Sequence, residues 1–164
     1  MIDEQSLNRM ITKSGGKGMK KKYCIISNIV LLLWYFLAMT GVYFGNKYLV
    51  TSSYKDDWFF MVIALIAFII FIFKEKVGKY ILLSWLSMWA ITQFLSHEWY
   101  TIFGSGVMGS NEGKIEYFKD AIKFINSDTV YIPDIYHIIL HIMIIVALIT
   151  TIIYCFDKNF QFSD

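Results

Sequence analysis

All three histidines of the chain lie in two short stretches: His97, followed directly by Glu98, and His137 with His141. A spacing of four residues puts His137 and His141 on one face of a helix. That is the geometry which presents two imidazoles to one zinc ion. If the two stretches are neighbours, His97 adds a third imidazole and Glu98 a carboxylate. The carboxylate then either binds metal or acts as a general base on a metal-bound water. Against this stand the missing His-Glu-x-x-His pattern and the frequency of such histidine pairs by chance. Beyond Asp134, no aspartate is obviously placed to hold the second imidazole nitrogen. Hydrogen-bonding histidines that anchor helices at an interface are the plainer reading. No cofactor is expected on that reading, and zinc or iron on the other. Haem ligation fails because no second level of histidines exists.

The elements that carry these residues are four stretches without charged side chains, Tyr23–Asn46, Trp58–Phe73, Tyr80–Ser96 and Ile135–Phe156. A membrane-crossing helix needs about 20 mostly apolar residues, with a usable range of roughly 17–25. Three stretches meet that length, and the second, at 16 residues, falls just short. Flanking lysines and local thinning of the bilayer absorb the difference. A soluble helical bundle would keep a polar face on each helix. These stretches are apolar nearly all round, so the expected fold is an all-α integral membrane protein, a four-transmembrane-helix bundle.

With 57% hydrophobic residues in 164 positions, the chain has no room for a separate soluble enzyme domain. Its basic residues sit beside membrane stretches and match no nucleic-acid-binding motif, so nucleic acid is not an expected partner. Lysines near 20–22, 74–79 and 158 gather at one side, whereas the carboxylates outnumber the lysines on the other. By the positive-inside rule both termini are cytoplasmic. Residues 1–22 then form a basic cytoplasmic tail, 23–156 the bundle with an external loop at 97–134, and 157–164 a second cytoplasmic tail. Fourteen lysines against one arginine, with abundant Ile, Phe, Tyr and Asn, indicate AT-rich codons. The expected location is the cell membrane of a low-GC bacterium. Ser14-Gly-Gly-Lys-Gly18 before Met19 is encodable by a purine-rich run resembling a ribosome-binding site. That makes Met19 a candidate start, with residues 1–18 a start-site artefact.

Cys24 and Cys155 fall at the cytoplasmic end, where thiols stay reduced. Gly41-x-x-x-Gly45 permits close helix approach and offers a weak route to a homo-oligomer. In the external loop, Ser110 and Asn111 cap an expected amphipathic helix over 112–125. Its apolar face carries Ile115, Phe118, Ile122 and Ile125. That helix either covers the mouth of the bundle or docks a partner. Pro133 and Asp134 start the last membrane helix, with Asp134 as N-cap.

The leading expectation for function is a small non-enzymatic membrane protein that acts by contact with a protein or peptide. An immunity or resistance factor, or an accessory subunit of a membrane complex, fits that description. The alternative is a metal-dependent membrane enzyme using His97, Glu98, His137 and His141 at the external interface. A transport component is a further alternative, although no charged residue falls inside the expected spans.

Overall fold

The computed structural model describes residues 4–106 and 108–156, with side chains described from Lys20 onward. The expected tail at 157–164 lies outside the described residues. In chain order the elements are α1 (Glu4–Thr40), β1 (Val42–Phe44), β2 (Lys47–Val50), α2 (Tyr54–Phe73), α3 (Glu75–Ser96), α4 (Glu98–Phe103), α5 (Asn111–Tyr117) and α6 (Ile135–Cys155). The long helices pack side by side, α1 against α2 and α6, and α3 against α2 and α6. The segment Lys20–Thr40, α2 and α6 are each long and apolar enough to cross a membrane.

The burial pattern departs from a water-soluble protein's in how many large apolar side chains it leaves outside. Ala38, Ala64, Ala67, Ala90, Ala147 and Gly78 are buried between helices. Leu33, Phe36, Ile66, Ile69, Ile91 and Ile149 face outward and are exposed. Water would drive the large aliphatics inside. In lipid they lose nothing by facing out, and small residues let the helix backbones approach.

The first span ends sooner than its composition implies. At Gly41 the backbone turns left-handed, with φ of 75°, and its N–H bonds to the carbonyl of Leu37 at 2.8 Å. A glycine in this conformation is a common helix stop. A Cβ there would lie 2.7 Å from the Tyr43 ring and 2.9 Å from the Ser52 nitrogen. The chain then forms an antiparallel hairpin that pairs Phe44 with Lys47 and Tyr43 with Tyr48. Gly45 opens its two-residue turn at φ 61°, and Asn46 has no positive φ. That combination is the II′ pattern, whose twist suits a hairpin. Gly41 and Gly45 therefore share no helix face, and the close-packing ridge expected from their spacing does not exist.

The second span starts earlier than expected, at Tyr54, which brings Asp56 and Asp57 into its first turn. Lys74 alone separates α2 from α3. Gly78 makes this tight reversal possible, because a Cβ there would collide with the backbone of Ile70 and Phe71. This turn end of the helices also holds Cys24 and Cys155, both buried and free. The opposite, loop end carries the hairpin, α4 and α5.

The helix expected over 112–125 runs only from Asn111 to Tyr117. Ser110 caps it by accepting the N–H of Gly113 at 3.0 Å. Residues beyond it are drawn off by the edge of β2. Tyr48 donates its N–H to Asp120 at 3.2 Å and accepts that of Ile122 at 2.9 Å. These tertiary bonds replace those of a continued helix, and Ala121 is buried against the strand.

Candidate functional site

The histidine cluster is built where α3, α4 and α6 meet at the loop end. His97 is the residue just past α3 and is buried. Its ring stacks on that of His137, with centroids 4.0 Å apart and planes at 23°. The Nδ1 of His97 lies 2.7 Å from the hydroxyl of Tyr131. Asp134 is the N-cap of α6, accepting the backbone N–H of His137 at 3.0 Å. Its second carboxylate oxygen lies 2.7 Å from Nδ1 of the same histidine. One turn further on, Nδ1 of His141 is 2.7 Å from Oε1 of Glu98. All four residues singled out by spacing thus gather in one region.

A carboxylate only accepts, so Nδ1 of His137 and of His141 carries the proton. A ring held this way by Nδ1, when neutral, keeps its lone pair on Nε2, the tautomer used by general bases and metal ligands. Among the described residues, however, no three His, Cys, Asp or Glu side chains form a group arranged to hold a metal ion. The side chains engage instead as two histidine–carboxylate pairs and one histidine–tyrosine pair.

Burial pushes the pKa of His97 well below the usual histidine value, and the neighbouring His137 and Lys114 push it the same way. Its imidazole is therefore neutral in the folded protein. Lys114 reaches in from α5, donating to the carbonyl of Ser96 at 2.6 Å. Its ammonium sits 4.6 Å from the Tyr100 ring centre and 5.4 Å from that of Tyr131. Burial lowers its pKa too, while the two rings favour the cation. Tyr100 and Tyr131 are themselves fully buried. Asn111 holds this layer in place, donating to Thr129 and accepting from the N–H of Tyr131, each at 2.9 Å.

Comparison with protein families, with curated proteins and with solved structures finds no match for this chain. Its function is therefore argued from the site alone.

Beside the histidines, a cleft of about 260 Å³ opens between α1, α2, α3 and α6. Tyr35, Asp57, Phe60, Trp85, Trp89 and Gln93 line it, and His97 and His137 close its end. Among the described residues, the indole N–H of Trp85 and the amide nitrogen of Gln93 are buried without a hydrogen-bond partner, and neither atom is open to the cleft. Each such group costs about 1–3 kcal/mol unless something bonds it. Glu98 shows a third case, because its Oε2 is buried and unpartnered while Oε1 serves His141.

The anticipated docking face divides. Phe118 turns inward, its ring centre 5.3 Å from that of His137 and 5.9 Å from that of His97. Ile115 and Ile122 are half-buried, and only Ile125 of the four is fully exposed. Several working residues lay outside the sequence reading. Trp85, eight residues before Gln93, was not singled out as polar, although its Nε1 points to the same need as Gln93. Asp57 fell just outside an expected span. Tyr131 and Lys114 gave no signal, since their roles depend on a loop whose path periodicity cannot fix.

Proposed function

We propose that this chain is a four-span membrane protein, with both termini in the cytoplasm, that acts at the outer face by contact with a protein or peptide. The cell membrane of a low-GC bacterium is the setting its composition favours. The observation that carries this reading is the loop-end surface. Tyr43, Phe44, Phe103, Tyr117, Phe124 and Ile125 are all exposed there. Their supports are fixed rather than loose, through the Tyr48 bridges and the bond from the Tyr48 hydroxyl to the Tyr117 carbonyl at 3.0 Å. An exposed apolar surface on a pre-ordered support suits recognition, because little ordering entropy is lost on binding. An immunity-type factor or an accessory subunit would use such a surface.

The test is photo-crosslinking in intact cells from a reactive residue placed at Phe124 or Tyr117. A discrete protein or peptide adduct is expected, and it should persist in the His137→Ala/His141→Ala variant. Adducts with lipid alone would sink the contact reading.

One observation favours a second reading, a metal-dependent enzyme. Each imidazole has its Nδ1 held by a carboxylate or phenol, as the supporting partners of metal-bound histidines do. Zinc or iron on His97, His137 and His141 would require these rings to leave the present arrangement, which forms no metal-holding group among the described residues. Metal analysis of the detergent-purified protein decides it: about one ion per chain, lost in the His137→Ala/His141→Ala variant, is required.

A further inference from the structure

Three polar groups of the cleft between α1, α2, α3 and α6 are open, and the contact surface uses none of them. Asp57 lines the cleft from the first turn of α2, Tyr35 from α1 and Trp89 from α3. Among the described residues, the Asp57 carboxylate, the Tyr35 hydroxyl and the Trp89 indole N–H have no hydrogen-bond partner. Unlike the nitrogens of Trp85 and Gln93, none of the three is cut off from accessible space. Tyr35 is only 6% exposed, so its hydroxyl is the bare tip of a buried side chain. The field of Asp57 reaches the phenols of Tyr35 and Tyr136. Even so, the carboxylate and the Tyr35 hydroxyl do not close on each other. Two such groups held apart at one cavity leave a place for a third that bonds both.

The charge of that third group follows from what surrounds Asp57. Tyr35 meets Trp89, Trp89 meets Trp85 and Trp85 meets Phe60, with ring centres 4.7, 6.2 and 6.4 Å apart. Aromatic faces attract cations, and a half-buried carboxylate is costly without a counter-charge. No lysine or arginine lines the cleft. Its two histidines are engaged elsewhere, His137 with Asp134 and His97 with Tyr131. The start of α2 does favour negative charge, but exposed Asp56 already supplies it there. That role leaves the inward turn of Asp57 unexplained.

We infer that this cleft binds a small organic cation, a primary ammonium on a short carbon chain. Its N–H groups donate to the Asp57 carboxylate and the Tyr35 hydroxyl. Its charge and its first methylenes lie against the rings of Trp89 and Phe60. A volume of about 260 Å³ lies at the small end of ligand pockets, which suits a chain of a few carbons. Thr51, Ser53, Ser96 and Tyr117 line the cleft from the loop end, so the ammonium enters from that side. Tyr117 also belongs to the exposed contact surface. The same chemistry therefore arrives as a free amine or as the lysine side chain of a bound peptide.

Because Trp85 and Trp89 line the cleft, the chain carries its own reporter. The full-length protein in a non-ionic detergent is titrated with n-propylammonium chloride at fixed ionic strength while tryptophan emission is followed. A saturable change is expected, and binding at least about tenfold weaker for n-propanol, which lacks the charge. Asp57→Asn should weaken the amine about tenfold and leave n-propanol unchanged, and Tyr35→Phe should weaken the amine about fivefold. Asp56→Asn removes the same charge outside the cleft and should change neither. Equal affinity for amine and alcohol in the unaltered protein overturns the proposal, whether or not any variant folds. Equal losses in Asp56→Asn and Asp57→Asn overturn it too, because the attraction would then be to surface charge in general. Nα-acetyl-lysine amide bound more tightly than n-propylammonium assigns the ammonium to a peptide side chain. The reverse order assigns it to a free amine, and either order upholds the cation. Photo-crosslinking at Phe124 reports on the contact surface alone, so failure of one reading leaves the other standing.

Discussion

Polar groups are bonded at both ends of the helices, but three buried polar atoms of α3 and α4 are not. At the turn end, α1 and α6 are joined by a closed set of bonds. Ser27 and Thr150 share a hydrogen bond of 2.8 Å, and Cys24 and Thr151 one of 3.3 Å. Asn28 donates to the Cys24 carbonyl at 2.8 Å and reaches Thr151 at 3.5 Å. Thr151 returns its hydroxyl to the Ala147 carbonyl at 2.7 Å. Lys21 and Tyr154 both reach Glu75. Gln93 and Glu98 near the loop end, and Trp85 midway along α3, each keep a buried polar atom with no partner among the described residues, beside the bonded His97, His137, His141 and Asn111. A polar group that finds its partners within the fold holds helices together. One left bare costs stability wherever the fold does not supply a partner.

The largest effect should come from breaking the turn end. Gly78→Val forces a side chain into the backbone of Ile70 and Phe71, which is not a flexible obstacle. A loss of at least about 3 kcal/mol is expected. It is read as a collapse of the thermal midpoint in detergent followed by circular dichroism. A midpoint within a few degrees of the unaltered protein would show that the α2–α3 reversal yields, and that the turn end is less rigid than its bonds imply.

The next effect falls on the loop end. Asp134→Ala removes the α6 cap, a cost of about 1 kcal/mol. It also strips the partner from Nδ1 of His137, a further cost of about 1–2 kcal/mol. Asp134→Asn keeps the cap, because asparagine is equally good there, and loses only the carboxylate. The alanine variant should therefore unfold several degrees below the asparagine variant. Equal midpoints would mean that the cap contributes nothing and the histidine pairing everything.

A matched pair sharpens the contrast further, with changes of about 1 kcal/mol in opposite directions. Asn28→Leu removes a bridge between helices and should destabilise. Gln93→Leu replaces a donor that has no partner among the described residues by an apolar group of similar size and should stabilise. If both variants lose stability equally, Gln93 is bonded in solution and the two ends are alike.

Much of this contrast was legible in the residues. The long apolar helices, the N-cap at Asp134, and the convergence of His97, Glu98, His137 and His141 all followed from composition and four-residue spacing. The hairpin at 42–50 did not, because Val42, Tyr43 and Phe44 are apolar enough to prolong a membrane stretch. Only the φ of Gly41 and Gly45 separates hairpin from helix. The 112–125 helix failed for a related reason. Its periodicity was genuine, but the strand edge of Tyr48 competes for the backbone of 120–122, and that edge is invisible until the hairpin is known. Asp57 was missed because span boundaries were set by the nearest charge, a rule that places every flanking carboxylate outside. The unpartnered N–H groups depend on a cavity between four helices, which no local pattern encodes.

The smallest expected effect tests whether the buried histidine belongs to the satisfied or the strained class. Burial, His137 and Lys114 all oppose the charged form of His97, so its folded pKa lies below its unfolded value of about 6.5. Between those two values the unfolded chain binds a proton that the folded chain refuses. Stability must then rise with pH in that window and fall as the pH drops below about 6.5. The stabilising partner, the Tyr131 hydroxyl 2.7 Å from Nδ1, bonds the neutral ring as well. It offers no compensation to the cation that a carboxylate would give. The thermal midpoint in detergent should thus be lower at pH 5.5 than at 7.5, and His97→Gln should remove part of that dependence. A steeper acid loss in His97→Gln, or a midpoint that rises on acidification, would mean that the imidazole is charged in place. The stacked pair of His97 and His137 would then need an anion between the helices.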